Sequence, residues 1–365
     1  ADVIKVEPPG RGDFTRAAGN WKAGYSATFL NNNRNKRSIT IDLKTSAGVD
    51  VLKRLAKTCD ALVQNFRPGV VERMGVGFED IRAVAPKIVY VSLSGFGEVG
   101  PYAHKPVYDP IVQALSGLAS VQGGADDQRP RLVRTILPDK LTAITASQAI
   151  TAALLSRERT GEGQHVRLSM LDSIVAFLWS SDMGGQTFVG ETVAPQRAAS
   201  FIDLIYETED GHMSVAVMTD AQWAGLTRAL EHPDWLTDPR FATPELRDLN
   251  INDRLALIQA ELTGRKTAEW VRRFDAEGVP CAPVLTRNEM IHHPQIEAAG
   301  IIQENTHPEA GPLRQARDAA RFEGTPAEYR RGAPGLGENG EEILREAGLP
   351  AAEIEELLAA GIVGG

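Results

Sequence analysis

The sequence predicts an α/β fold, a mainly parallel sheet covered by helices, followed by a smaller unit of different character. Three observations carry this. Strand-like and helix-like segments alternate from Asp2 to Ser181, the rhythm of βαβ units. From residue 206 a hairpin followed by several helices replaces that rhythm. Two stretches, 191–205 and 303–337, lose periodicity and read as linkers. The expected division is therefore a large domain over 1–190, a linker over 191–205, a small domain over 206–302, a second linker over 303–337 and a helical tail over 338–365.

Each element has a local reason. "DVIKVE" and "RSITIDL" alternate apolar and polar residues and read as strands. "TSAGVDVLKRLAKTC" opens with Thr45 or Ser46 as a helix cap, and Val51, Leu52, Leu55, Ala56 and Cys59 share one face. "DALVQNF" is the next strand, broken by Arg67-Pro68-Gly69, and "GFEDIRAVAP" is a short helix stopped by Pro86. "KIVYVSLS" is a buried strand. A long helix from Leu141 to about Thr160 stops at Gly161, and strand "QHVRLSML" and helix "DSIVAFLWSS" follow. "LIYETEDGHMSVAVMT" reads as a hairpin turning at Asp210-Gly211. "AQWAGLTRALE", "INDRLALIQAELTG" and "TAEWVRRFDAEG" read as helices, "VPCAPVL" as a short strand, and the tail from Asn339 as helical.

The strand "KIVYVSLS" runs into Gly95-x-Gly97-x-x-Gly100, the spelling of a dinucleotide-binding loop. That loop needs a helix to begin at the last glycine, because the pyrophosphate sits on the helix N-terminus. Pro101 and Pro106 oppose such a helix. The stretch reads instead as a glycine-rich loop at the C-terminal end of a strand, where open α/β sheets place their ligands.

Composition excludes several classes. With 365 residues the chain is long enough for two domains. A net charge of -9 argues against a nucleic-acid binder. No apolar run reaches the length of a membrane span. Cys59 and Cys281, far apart in apolar contexts, read as buried free thiols, which predicts a reducing, cytoplasmic setting. His292-His293 is the only close pair of metal-ligating type, and adjacent residues point apart, so no metal site is expected.

Two features hold chemistry. Against the acidic total, Arg34, Lys36, Arg37, Lys44, Arg67 and Arg73 gather near strand ends. They read either as a solvated charged face or as a phosphate site, since Arg and Lys form charge-assisted hydrogen bonds to phosphate oxygens. Asp139, in "LPDKLTA", stands just before the long helix. It reads either as an N-cap or as a nucleophile or base, with the free N–H groups of the helix start available to an oxyanion. Position alone does not choose.

Taken together, these segments resemble the class III CoA-transferases, the family of formyl-CoA transferase, carnitine CoA-transferase and α-methylacyl-CoA racemase. The stretches "ADVIKVEPPGRGD", "NRNKRSITIDLK", "NFRPGVVERMG", "SGFGEVGP", "YDPIVQALSGL", "PDKLTA", "ALLSRERTGEGQHVRLSMLD", "VPCAPVL" and "GLGENGEEIL" occur in family order along nearly the whole chain. The resemblance implies a Rossmann-like large domain, a smaller α+β domain and an interlocked homodimer. It places the catalytic carboxylate on Asp139, with an aspartyl anhydride and an aspartyl-CoA thioester as intermediates. It places coenzyme A contacts on Ile41, Asp42, Leu43, Lys44, Asn65, Phe66, Arg67, Arg73, Lys105, Val107 and Tyr108. Acyl-CoA and a small carboxylic acid are the implied partners, with no tightly bound cofactor. The family pattern begins one strand and one helix before this sequence, so some coenzyme A contacts are expected outside it.

Two departures narrow the reading. The racemase branch carries a histidine just before the position of Asp109; here it is Tyr108, a poor base near neutrality with its ordinary pKa of about 10. This favours transfer over α-proton abstraction, the alternative reading. Formyl-CoA transferases carry consecutive glycines before the small domain, and "GETVAPQRAASFIDLIYETEDG" has no such run. That points away from an oxalate/formyl-CoA pair and toward another carboxylate, a dicarboxylate such as succinate on the donor side. A binding protein without catalysis is the third reading.

Overall fold

A computed structural model of the chain describes residues 1–124, 128–191 and 205–364. Its contacts divide the chain into two units. One comprises Ala1–Ser116, Thr135–Phe177 and Pro294–Gly365; the other comprises Gly117–Arg134 and Leu178–His293.

The first unit holds the predicted βα alternation. Val3–Glu7 pairs in parallel with Lys36–Ile41, Ile4 opposite Arg37 and Val6 opposite Ile39. Ala61–Gln64, Val89–Ser94 and His165–Ser169 form a second sheet, all parallel, with Val89–Ser94 central. The single parallel sheet read from the sequence is thus two sheets of three strands. In the first sheet Lys36–Ile41 is central, because Val363–Gly364 pairs antiparallel with Thr40 and Ile41 across from Val3–Glu7. The Ser46–Ala56 helix, capped by the Thr45 side chain on the Gly48 N–H, buries Val51 and Leu55 with Ile39, Ile41, Ile343 and Leu344. Its glycine is forced, because a Cβ at Gly48 would stand 2.1 Å from the Asp42 carbonyl oxygen.

The polar stretch 303–337 is not featureless. Ile302–His307 and Gly311–Ala316 form an antiparallel hairpin, with Leu313 packed against the cluster of Tyr25, Phe29 and Leu30. Only half of the residues of these strands are covered, so the sequence looked like loop. Residues 192–204, most of the expected first linker, lie outside the described residues. The tail forms two helices, Gly340–Glu346 and Ala351–Ala359, divided at Gly348 (φ 81°) and Pro350.

In the second unit Ile205–Glu207, His212–Val215 and Cys281–Pro283 make an antiparallel sheet, with the turn at Asp210-Gly211 as predicted. The Asp220–Ala229, Ile251–Leu262 and Thr267–Ala276 helices enclose Trp223, Leu226, Phe241, Trp270 and Phe274 in one core. Both cysteines are free and half-buried, less covered than the sequence implied; burial raises the thiol of Cys59 and pushes that of Cys281 up to about 11.

Candidate active site

The long helix begins earlier than its apolar pattern indicated, at Leu137 rather than Leu141, and runs to Thr160. Pro138 sits in its first turn, where a missing N–H costs nothing. Asp139 is therefore inside the first turn, and the residue preceding the helix is Ile136, without a side-chain cap. The N-cap reading of Asp139 is corrected by this one-turn shift.

The N–H groups of that turn are spent. Leu137 N–H donates to the Thr135 carbonyl at 2.9 Å, Pro138 has none, and Lys140 N–H donates to the Ile136 carbonyl at 3.1 Å. Asp139 N–H donates to Asp109 Oδ2 at 3.2 Å. The idea that these donors serve an oxyanion fails for that reason.

Asp109 is the residue that sequence reasoning passed over. It opens its own helix, Asp109–Leu115, followed at once by Pro110. It is 3% exposed, and its other oxygen accepts from Gln113 Nε2 at 2.6 Å. Gln113 also donates to the Thr135 carbonyl at 3.2 Å, tying the two helix starts together. The available signal was the pair Asp109-Pro110 and Pro138-Asp139, two prolines at helix openings each beside an aspartate. Asp139 itself meets solvent. Its carboxyl is nonetheless held above the ordinary range, first by partial burial and second by repulsion from Asp109. The result is a reachable carboxylate that gains by losing its charge.

Three of the predicted coenzyme A contacts come together elsewhere in the same unit. Leu43, Lys44 and Arg73 line a cavity of about 420 Å³ with Thr45, Ser46, Val49, Asp50 and Met74. Asp42 Oδ1 accepts from the Lys44 N–H at 3.0 Å, setting the turn that presents Lys44. Ile41 is 1% exposed and packed in the core, and its carbonyl accepts from the Leu43 N–H at 3.1 Å, so it lies beneath the turn rather than at the surface. Arg67 and Arg73 are exposed, and neither they nor Lys44 pairs with a carboxylate among the described residues. Arg34 and Arg37 are different, since Asp318 engages the first and Asp2, Glu342 and Glu346 engage the second. The cationic group therefore divides into structural and uncommitted members.

Asn65, Phe66 and Arg67 follow the Ala61–Gln64 strand as an exposed loop. Lys105 Nζ stands over the Tyr102 ring at 3.3 Å. Tyr108 is 79% exposed and precedes the Asp109 helix. Val107 explains the first glycine of the loop after Ser94, because a Cβ at Gly95 would lie 2.1 Å from Val107 Cγ1. No helix starts at Gly100; the next is Asp109–Leu115, as the prolines required. Among the described residues no three His, Cys, Asp or Glu side chains are grouped to hold a metal, and no helix is long and apolar enough to cross a membrane. His292 and His293 lie in a turn.

The family model described as CoA-transferase family III matches residues 1–340. Over 371 residues the chain is 33% identical to the succinyl-CoA:glutarate CoA-transferase of Mus musculus, covering 100% of this chain and 84% of that protein. It is 32% identical over 360 residues to the acetyl-CoA:oxalate CoA-transferase of Acetobacter aceti, covering 97% and 90%. A CAIB/BAIF family protein from Brucella suis has a similar structure, with a TM-score of 0.81 and 29% identity over 95% of this chain and 92% of that one.

Proposed function

The chain belongs to CoA-transferase family III, and we propose that it moves coenzyme A from an acyl-CoA thioester to a small carboxylic acid with Asp139 as nucleophile. The observation that carries this is the accessible Asp139 carboxylate set against buried Asp109 at two converging helix starts.

The chemistry follows from that setting. An Asp139 oxygen attacks the thioester carbonyl, the C–S bond breaks, and a mixed anhydride and the coenzyme A thiolate result. The thiolate then attacks the aspartyl carbonyl, the C–O bond breaks, and the donor leaves as a carboxylate. The acceptor carboxylate attacks the resulting aspartyl-CoA thioester, and the thiolate finally takes the acceptor acyl group and frees Asp139. No net proton is consumed. Each acylated form of Asp139 is uncharged, so the repulsion that raises its pKa is relieved on acylation.

Lys44, Arg67 and Arg73, free of carboxylate partners among the described residues, suit the phosphates of coenzyme A, with Ile41, Asp42 and Leu43 leading into Lys44. Asn65, Phe66, Lys105, Val107 and Tyr108 would complete the thioester's surroundings. For the acyl groups we favour dicarboxylates, in keeping with the glutarate and oxalate transferases among the relatives; succinyl-CoA is the first donor to test. The assembly we expect is an interlocked homodimer, detectable as twice the chain mass in light scattering. The α-proton-abstraction alternative draws no support from relatives named as CoA-transferases.

Incubation with succinyl-CoA followed by hydroxylamine tests the mechanism. A hydroxamate on Asp139, located by peptide mass spectrometry, is the expected result. An unmodified Asp139 across a panel of acyl-CoA donors, together with exchange of the substrate α-proton, would overturn it.

A further inference from the structure

We propose that His165, Ser92 and Gln64 form a positioning relay that sets the Asn65–Arg67 loop for the coenzyme A moiety; this rests on the coenzyme A reading of that loop. None of the three side chains belongs to the site described so far, yet they connect in an unbroken line toward it. His165 Nε2 lies 2.8 Å from Ser92 Oγ. Gln64 Nε2 donates to the same Ser92 Oγ at 2.9 Å. Gln64 Oε1 then accepts from the Phe66 N–H at 2.8 Å. The Phe66 N–H needs an acceptor, which fixes the orientation of the Gln64 amide and leaves its NH₂ group for Ser92.

The parallel sheet makes the line possible. Gln64 is opposite Ser92, and Ser92 opposite Arg167, on neighbouring strands. His165, two residues before Arg167, is opposite Tyr90, so the relay crosses the three strands obliquely, from the first residue of His165–Ser169 to Gln64, where the chain leaves for the loop. Without the relay the loop's first turn would lose the side-chain bond that Gln64 makes to the Phe66 N–H.

His165 is also held from its other side. Its ring stacks on Phe78 at 4.6 Å and meets Tyr90 edge-on at 5.3 Å. Tyr90 donates its hydroxyl proton to the Val76 carbonyl at 2.9 Å, three residues beyond Arg73. One cluster therefore stands behind two uncommitted cations, Arg67 through hydrogen bonds and Arg73 through ring packing. Nδ1 of His165 is buried without a partner. A protonated ring would place an N–H there with no acceptor, in keeping with burial holding the pKa of His165 below its usual value. A neutral ring can accept the Ser92 hydroxyl proton at Nε2 or donate from it, so the Ser92–His165 bond forms in either tautomer.

The test compares Gln64→Leu, Gln64→Glu and Arg67→Ala in the full chain, read by steady-state kinetics and by calorimetry with coenzyme A itself. Gln64→Leu removes both bonds and is expected to raise the KM for acyl-CoA and the Kd for coenzyme A about tenfold, with kcat changed less than about threefold. Gln64→Glu retains acceptors for both Phe66 N–H and the Ser92 hydroxyl, and is expected to restore most of the affinity. Equal affinity in Gln64→Leu and the parent, or no recovery in Gln64→Glu, would overturn the relay. If Gln64→Leu does not fold, Ser92→Ala replaces it with the same expectation. Arg67→Ala separates the two ideas. If it leaves coenzyme A affinity unchanged, the reading of the loop fails. If it weakens binding while Gln64→Leu does not, only the relay fails.

Discussion

The unit built around residues 205–293 collects its large side chains, Trp223, Trp235, Phe241, Trp270 and Phe274, into one cluster. The unit that holds Asp139 divides its apolar residues among several smaller clusters instead. The cavity with Lys44 and Arg73 shows what that division provides. Leu43 packs against the cluster of Ile39, Ile41 and Leu55, whereas Val49 and Met74 pack against that of Val71, Ile81 and Tyr90. The cavity opens at the seam. A single core spends its side chains on stability, and divided cores leave strand ends and helix starts where polar groups remain reachable.

The sharpest way to separate the two regions is Asp139→Asn. Loss of the nucleophile should lower kcat by about a thousandfold or more. Thermal melting should show no loss of stability, because folding raises this carboxyl's pKa, so its charge opposes rather than supports the folded state. The opposite pattern is expected of Phe274→Ala in the single core. Phe274 is 0% exposed, and denaturant unfolding should report a loss of about 3–5 kcal/mol. A comparable loss from Asp139→Asn would erase the contrast.

Arg73→Ala should act at the seam alone, raising the KM for acyl-CoA about tenfold with little change in melting temperature. A fall in stability of the size expected for Phe274→Ala would instead make Arg73 part of a core.

The acid limb of the rate profile sharpens the account of Asp139. Activity should fall as pH drops through a pKa above the usual aspartate value of about 3.9. Asp109→Asn removes the repulsion and should move that limb to lower pH, leaving the contribution of burial in place. An unmoved limb would mean that Asp109 does not act on Asp139 by charge.

The smallest expected effect lies in the acid stability of the divided unit. Glu7 is 2% exposed, and burial opposes its ionisation. Bonds from Arg16, the Asp13 N–H and Ser38 outweigh that and hold its carboxyl below the ordinary range. Its stabilisation is therefore present above the unfolded pKa of about 4.3 and is lost as pH falls below that toward the folded value. Glu7→Gln should flatten this part of the stability curve, read as melting temperature against pH.

Much of this was legible in the residues. The strands "DVIKVE", "DALVQNF" and "KIVYVSLS" alternate or run apolar, and they stand where predicted. The proline pair after Gly100 excluded a dinucleotide helix, and none is there. The stretches that resemble CoA-transferases pointed to the family that the comparisons show. Periodicity, turn residues and local motifs act over a few residues, so the chain's own order displays them.

What only the tertiary structure decided depends on contacts between residues far apart in sequence. The last strand, at Val363–Gly364, reaches back to pair with Thr40 and Ile41, and the one expected sheet is two. The helix of Asp139 starts a turn early, because Pro138 fits a first turn that apolar periodicity does not mark. Asp109 becomes its neighbour only when two helix starts converge. Gln64, Ser92 and His165 are separated by 28 and 73 residues, and only strand pairing joins them. Short-range preferences set the elements, and packing between distant segments set which charges meet.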